Sequence, residues 1–398
     1  MKQRKHFLTG LVAGLCALAP ALADVPIDPG GIGSRQIELD HDPDTGNYFA
    51  VVRWVDSQFE AWALYISTDQ GATWSSFGGF TTAGEWGDVD LAVAGDYVYV
   101  GFHNLGASRA DIVRFFATDG SWDSVFGFHT VVNVTPANVV DIALASDQDG
   151  ADNEIYYALI ASDGSLRFFF DSSADGTTFA ELSPGISDAV SGLDMTYNPG
   201  SPDHLILFSY WGVSSIIHVW RSFPWEQALS LFFSQAIITS SAISAYDNAV
   251  IVCLEQEIPN GIRVLDFRSY SAGDDWTLGI LDAPAQGEGD YIGCDVTARA
   301  GGEFAVTYMH EDGPFDPVYL RRHTRGVSGP WEERVVINET DVAMASIFRT
   351  SLNWFPPGHY GIAYVEDSGT PYFDRFALLI LADGFESGDT SAWSSSVP

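Results

Sequence analysis

Ser67-Thr68-Asp69-Gln70-Gly71-Ala72-Thr73-Trp74 is the stretch that decides how this chain reads. Ser-x-Asp-x-Gly-x-Thr-Trp is the chemistry of a tight turn between two strands. The Ser and Asp oxygens accept backbone N–H groups, Gly takes a positive φ, and Trp packs its ring against a neighbouring layer. Weaker copies stand at Thr118-Asp119-Gly120-Ser121-Trp122, Ser173-Ala174-Asp175-Gly176-Thr177-Thr178-Phe179 and Ser271-Ala272-Gly273-Asp274-Asp275-Trp276. Ser222-Phe223-Pro224-Trp225 and Ser328-Gly329-Pro330-Trp331 keep little beyond the aromatic.

Working outward from each turn, one apolar segment recurs. It reads FAVVRWVD at 49–56, YVYVGFHN at 97–104, IYYALIAS at 155–162 and LILFSYWG at 205–212. It continues as AVIVCLEQ at 249–256, FAVTYMHE at 304–311 and YGIAYVED at 360–367. A shorter apolar segment precedes each, centred on Ile37, Leu91, Ile142, Met195, Ile243, Val296 and Ile347, with hairpin signals such as Asp42-Pro43-Asp44-Thr45-Gly46 between the two. A period near 50 residues with four short strands per repeat is the pattern of a β-propeller blade. The expectation is an all-β, single β-propeller over residues 24–382, with seven four-stranded blades and a six-bladed ring as the alternative. The seventh repeat lacks a fourth strand of its own, and Val25-Pro26-Ile27-Asp28 is available to supply it.

The complete turn motif and its companions resemble the Asp-box, or BNR, repeats of the sialidase-like propellers, and the resemblance spans nearly the whole chain. Ser67, Asp69, Gly71, Thr73, Trp74, Asp119, Trp122 and Asp175 are its structural positions. Asp383-Gly384-Phe385-Glu386-Ser387-Gly388 opens a polar tail, 383–398, similar to a Gly-Phe-Glu-Ser-Gly tail found on exported bacterial proteins.

Composition restricts the partners. Lys2, Arg4 and Lys5 precede an apolar run ending at Ala21-Leu22-Ala23, the pattern of a signal peptide over 1–23. Cleavage there leaves no lysine, 15 arginines and 53 acids, a net charge of −38. Such a chain is expected to be secreted or periplasmic, to repel nucleic acid, to avoid membrane insertion and to stay monomeric. Cys253 and Cys294 remain, mapped to one face of adjacent repeats, and a disulfide between them is expected.

In propellers of this kind the Asp-box hairpins lie on one face and function lies on the other. That register nominates Arg53, Trp54, His103, Trp211, Glu255, His310, Glu311 and Glu366 as ligand-binding residues at strand ends. Asp90, Asp141, Asp194 and Asp295 share one repeated position and would ring the channel mouth. There they either hold a cation or cap backbone N–H groups, and the capping reading is preferred. The aspartate-rich runs at 40–46 and 147–154 have a calcium-like alternation without the twelve-residue calcium-loop order. No cofactor is therefore expected, with Ca²⁺ as the alternative.

The turn motif occurs in enzymes and non-enzymes alike. The resemblance implies, as one alternative, a sialidase-like exo-glycosidase acting on a carboxylated sugar, which needs three convergent arginines and a Tyr–Glu pair. Arg35, Arg53, Arg299 and Arg349 are the arginines near channel strands, and no glutamate is tied to Tyr308 or Tyr364 by spacing. The preferred reading is a non-catalytic propeller that binds an extracellular glycan or protein ligand, with no catalytic residue assigned.

Overall fold

The computed structural model describes residues 24–377 apart from 29–32, 56–59, 83–85, 105–107, 134–138, 147–153, 172–176, 183–189, 199–205, 213–215, 222–225, 233–236, 247–248, 258–262, 271–276, 283–288, 301, 312–314, 324–330, 340–341, 343–349 and 356–357. The signal segment, Asp175, the second aspartate-rich run, Ile347 and the C-terminal tail lie outside the described residues.

Strand β1 is Val25–Pro26. The next sheet holds β2 (Ser34–His41), β3 (Tyr48–Val55), β4 (Glu60–Ser67) and β5 (Ser75–Thr82). Then come β6 (Trp86–Ala94), β7 (Tyr97–Asn104), β8 (Arg109–Phe116) and β9 (His129–Asn133). The third group is β10 (Val139–Ser146), β11 (Ile155–Ala161), β12 (Leu166–Asp171) and β13 (Ala180–Glu181). The fourth is β14 (Val190–Tyr197), β15 (Ile206–Gly212), β16 (Ile216–Arg221) and β17 (Glu226–Phe232). The fifth is β18 (Ile237–Tyr246), β19 (Ala249–Glu257), β20 (Arg263–Tyr270) and β21 (Thr277–Asp282). The sixth is β22 (Tyr291–Arg299), β23 (Glu303–His310), β24 (Val318–His323) and β25 (Val335–Val336). The last strands are β26 (Ser351–Phe355), β27 (His359–Val365) and β28 (Pro371–Ala377).

Among the described residues these strands form seven four-stranded sheets, antiparallel at each reported pairing, six of them in simple sequence order. The exception is β26-β27-β28-β1, where the N-terminal strand completes the sheet begun by the C-terminal ones. Val25 pairs with Phe373 and Pro26 with Tyr372. Proline is tolerated there because the outermost strand has no further ladder to feed. Ile27 next to it is buried, and its N–H reaches the Pro371 carbonyl at 2.8 Å. The inner strand of each sheet lies against the inner strand of the next, and β26 lies against β2, so the described sheets succeed one another around an axis.

The core lies between sheets. In β3, Phe49 and Val51 pack with Val98 and Val100 of the following sheet, while Tyr48, Ala50 and Val52 pack with Phe355 and Val365 of the last one. Strand alternation therefore buries both faces, which is why the second strand of each repeat reads as an unbroken apolar run.

The turn at 67–74 shows why its residues are specific. Ser67 Oγ accepts the Gly71 N–H at 2.7 Å, and Asp69 accepts the Thr73 N–H at 2.8 Å and the Thr73 hydroxyl at 2.6 Å. These donors hold the Asp69 carboxyl below its ordinary range against a desolvation that pushes it up. Gly71 has φ +85, and a Cβ there would run into the Phe373 ring. Trp74 meets the same ring edge-on at 5.3 Å. At the second turn Asp119 accepts the Ser121 N–H at 2.8 Å and Gly120 has φ +72, but Trp122 is 40% exposed rather than packed between layers. Its ring sits against Phe128, which is itself exposed.

Candidate functional site

The inner strands carry carboxylates whose geometry recurs. Asp194 Oδ1 accepts the N–H of Met195, and its Oδ2 accepts the N–H of Ile243 on the next sheet, both at 2.7 Å. Asp295 does the same with Val296 at 2.7 Å and Leu352 at 2.6 Å. Asp90 takes Leu91 at 2.7 Å and Leu144 at 2.6 Å, and Asp141 takes Ile142 at 3.1 Å and Leu193 at 2.8 Å. Each carboxylate thus caps its own strand with one oxygen and fastens the neighbouring sheet with the other. The ring of four places these residues along the channel and engages their oxygens with backbone donors.

Sequence reasoning missed the remaining members. Asp40 accepts the Val93 N–H at 2.8 Å and Asp88 the Ile142 N–H at 2.8 Å. Ser244 accepts from Ala298 at 2.9 Å and Ser351 from Leu39 at 2.9 Å. Serine has one oxygen and no charge, so it does the same work without a repeated-Asp signature. In the last sheet the inner strand is Ser351–Phe355, so Leu352 holds the place that apolar periodicity gave to Ile347.

The inner strands enclose a central cavity of about 620 Å³. Asp40, Asp90, Asp194 and Asp295 line it with His41, Tyr197, Tyr246, Arg299 and Trp354. The lining positions fall in the later halves of the inner strands and include Pro43 of the first hairpin, so the cavity lies toward the hairpin side. Toward the strand starts it gives way to a space of about 60 Å³ lined by Gln36, Asp88, Asp90, Asp141, Asp194 and Asp295. Burial pushes the Asp90 carboxyl well up, the charges of Asp194 and Asp88 add to this, and the two backbone donors oppose it. Arg299 forms an ion pair with Glu303, and its guanidinium lies 4.2 Å from the Trp354 ring centroid.

None of the eight residues nominated at strand ends is among those lining the two cavities. His103 is buried, accepts the Val139 N–H of the next sheet at 3.3 Å, and is pushed down to about 4 by burial. Glu255 is buried too, accepting the Thr239 hydroxyl at 2.7 Å and the Gly293 N–H of the next sheet at 2.9 Å. His310 stacks on Tyr291 at 4.2 Å inside the sixth sheet. Glu311 is exposed and Glu366 half-buried, the latter accepting the Ser368 hydroxyl at 2.9 Å. Arg53 is half-buried, Trp54 packs against the cluster around Ile27 and Val52, and the Trp211 side chain lies outside the described residues. His103 and Glu255 thus serve the seam between sheets, each accepting a backbone N–H from the next one.

Two further expectations meet a different outcome. Cys253 and Cys294 are free, buried thiols in one core cluster between the fifth and sixth sheets, so the expected disulfide is not formed. Burial pushes the Cys294 thiol well up, and Cys253 beside it adds to the effect. In the run 40–46, Asp42 accepts the Asp44 N–H at 2.9 Å and the Thr45 hydroxyl, and Gly46 has φ +73. That is a side-chain-capped turn, with the Asp42 oxygens engaged inside it.

No protein-family model matches the chain, and no curated protein matches it. Solved structures do. The α-L-arabinanase of Penicillium chrysogenum, complexed with arabinobiose, is 9% identical, with 90% of this chain and 98% of that chain covered and a TM-score of 0.51. The β-propeller domain of Cps50 (Swd1) from Myceliophteria thermophila is 11% identical, with 90% and 99% covered and a TM-score of 0.51. The K499G mutant of NanB sialidase from Streptococcus pneumoniae is 11% identical, with 86% and 68% covered and a TM-score of 0.47. At such identities the likeness shows the fold alone, a β-propeller.

Proposed function

We propose that this chain is an exported, non-catalytic propeller of seven blades with Asp-box turns, and that it binds a neutral, hydroxyl-rich glycan in its central cavity. The supporting observation is the make-up of that cavity: half-buried Tyr197, Tyr246 and Trp354 stand around a space of about 620 Å³ whose aspartates are fastened to backbone N–H groups, with Glu38 beside them. Aromatic faces stack on sugar rings, and fixed carboxylates accept hydroxyl protons while repelling anionic sugars. Asp194 and Asp295 have both oxygens engaged by backbone donors, which makes them poor proton shuttles and favours binding over hydrolysis. Asp90, whose carboxyl is raised, is the group whose acid chemistry the hydrolysis assay tests.

The sialidase-like alternative asks for three arginines on a substrate carboxylate. Among the described residues lining the cavity Arg299 is the arginine, and it is paired with Glu303. The test is a glycan screen of the mature protein beside Trp354→Ala, read by binding and by release of fluorogenic sugars. Retention of neutral oligosaccharides that falls at least about tenfold in the variant is expected. Hydrolysis of a sialoside, or binding unchanged by the substitution, overturns the reading.

A further inference from the structure

Asp374 is a carboxylate in a place that does not suit one. It lies in β28 and is 2% exposed; its Oδ1 accepts the Arg375 N–H at 2.5 Å, and its Oδ2 is buried without a hydrogen-bond partner. Burial raises its carboxyl to about 7, and the negative charges of Asp24 and Glu339 add to the shift. Two more buried oxygens stand there, Asp24 Oδ1 and the Tyr364 hydroxyl, neither with a partner outside this group. The Tyr364 phenol is pushed up by burial, then by its hydrogen bond to Asp24 and by the charges of Asp24 and Asp374. The pairing of Val25 with Phe373 sets residues 24 and 374 opposite each other on neighbouring strands. The neighbouring cation, Arg375, turns its guanidinium to Gln70 on the first sheet, with Nη1 3.2 Å from Oε1. With the Tyr364 hydroxyl given to Asp24, the buried Asp374 Oδ2 is left without a donor, and a carboxyl so placed calls for a compact one.

Such a donor is one bond-breaking away. Residue 24 is where the chain begins once 1–23 are removed, and its α-nitrogen is two bonds from the Asp24 Cβ. Hydrolysis of the 23–24 amide by a signal peptidase consumes one water and yields the Ala23 carboxylate and an Asp24 ammonium. We propose that this ammonium is bound by Asp374 and the Tyr364 hydroxyl, so that removal of the leader locks β1 onto β28. The inference rests on the export reading given above. Asp24 Oδ2 already accepts the Glu339 N–H at 2.8 Å, which holds the residue over the cluster. Glu339 and Glu366 add negative charge around it, and the neighbouring Tyr372 phenol is raised by burial, Glu366 and Asp24. Fusing a further residue to Asp24 would turn the ammonium into an amide with a single proton and no charge, leaving the buried carboxylate uncompensated.

The composition makes the test clean. With Lys2 and Lys5 gone, the chain has no lysine, so the α-amine is its sole primary amine. N-terminal sequencing of the exported protein comes first. The chain starting at Asp24 is then compared with the same chain carrying one extra glycine before it. The unmodified α-amine of each is titrated by its acylation rate as a function of pH, and both are melted at pH 7. The Asp24 amine is expected to titrate above about 9 rather than near the ordinary value of about 8. It should react at least about tenfold more slowly with an acylating reagent at pH 8, and the extended chain should melt lower by about 3 °C or more. Asp374→Asn should return the amine to ordinary reactivity. A start at Asp24 with equal reactivity and equal melting of the two chains overturns the latch while the export reading stands. Cleavage at another position overturns the latch alone, and a mature chain that keeps residues 1–23 overturns both.

Discussion

Replacing Asp194 by alanine removes one complete fastening between the fourth and fifth sheets. Two backbone donors lose their acceptor, the N–H groups of Met195 and Ile243, and both residues are buried, at 6% and 4% exposure. A buried donor left unmade costs roughly 1–3 kcal/mol. Relief of repulsion with Asp90, whose carboxyl Asp194 pushes up, returns a part of that. The expected net loss is about 2–5 kcal/mol, which for a domain of this size lowers Tm by about 4–10 °C. Asp194→Asn keeps one acceptor oxygen and should lose about half as much. Calorimetry at pH 7, with urea unfolding as a second measure, reads both variants. If Asp194→Ala melts within about 1 °C of the parent or above it, the carboxylates do not fasten the sheets, and a ligand role for the ring returns.

Gly71→Ala places a Cβ at φ +85 and against the Phe373 ring. A loss of about 2–4 kcal/mol in urea unfolding is expected, and a neutral result would remove the close-approach account of the turn. His41, His103 and His359 are held down to about 4 by burial, from an ordinary 6.5. The unfolded chain takes up protons at these sites first, so the three histidines withdraw stability as pH falls from 6.5 to about 4, while the raised Asp374 and Asp90 carboxyls oppose them over the same window. NMR titration of the imidazoles in the folded chain checks it; protonation near 6.5 contradicts the buried-neutral assignment. Chelation should leave Tm unchanged, since the Asp42 and channel oxygens are occupied by protein donors, and a shift above about 2 °C on adding Ca²⁺ would show otherwise.

The second strands of the repeats were legible nearly to the residue. The run 97–104 is β7 itself, and 249–256 falls within β19 at Ala249–Glu257. Burial on both faces forces an apolar run that no other part of the repeat needs. The inner strands were less legible, and the last was misplaced. Ser351–Phe355 carries only three apolar residues of five, and what makes it the inner strand is the Asp295 carboxylate accepting the Leu352 N–H from 57 residues away. Trp122 looked like a packed ring by its place in the motif, yet the sheet edge beside it leaves it in solvent.

Local chemistry determined what local chemistry can. Alternation, turn residues and a period near 50 residues specify strands, hairpins and their repetition, because each depends on neighbours within a few positions. The turn at 67–74 belongs to that class, and it carries the fold without touching the cavity. Tertiary structure alone decided the rest. The aspartates of one strand find their donors 49 to 57 residues on, in the next sheet. The central cavity is a product of the ring, lined by residues from all seven inner strands. Asp374 meets Asp24 because the last sheet borrows its outer strand from the start of the chain, and a pairing across the whole sequence leaves no local signature.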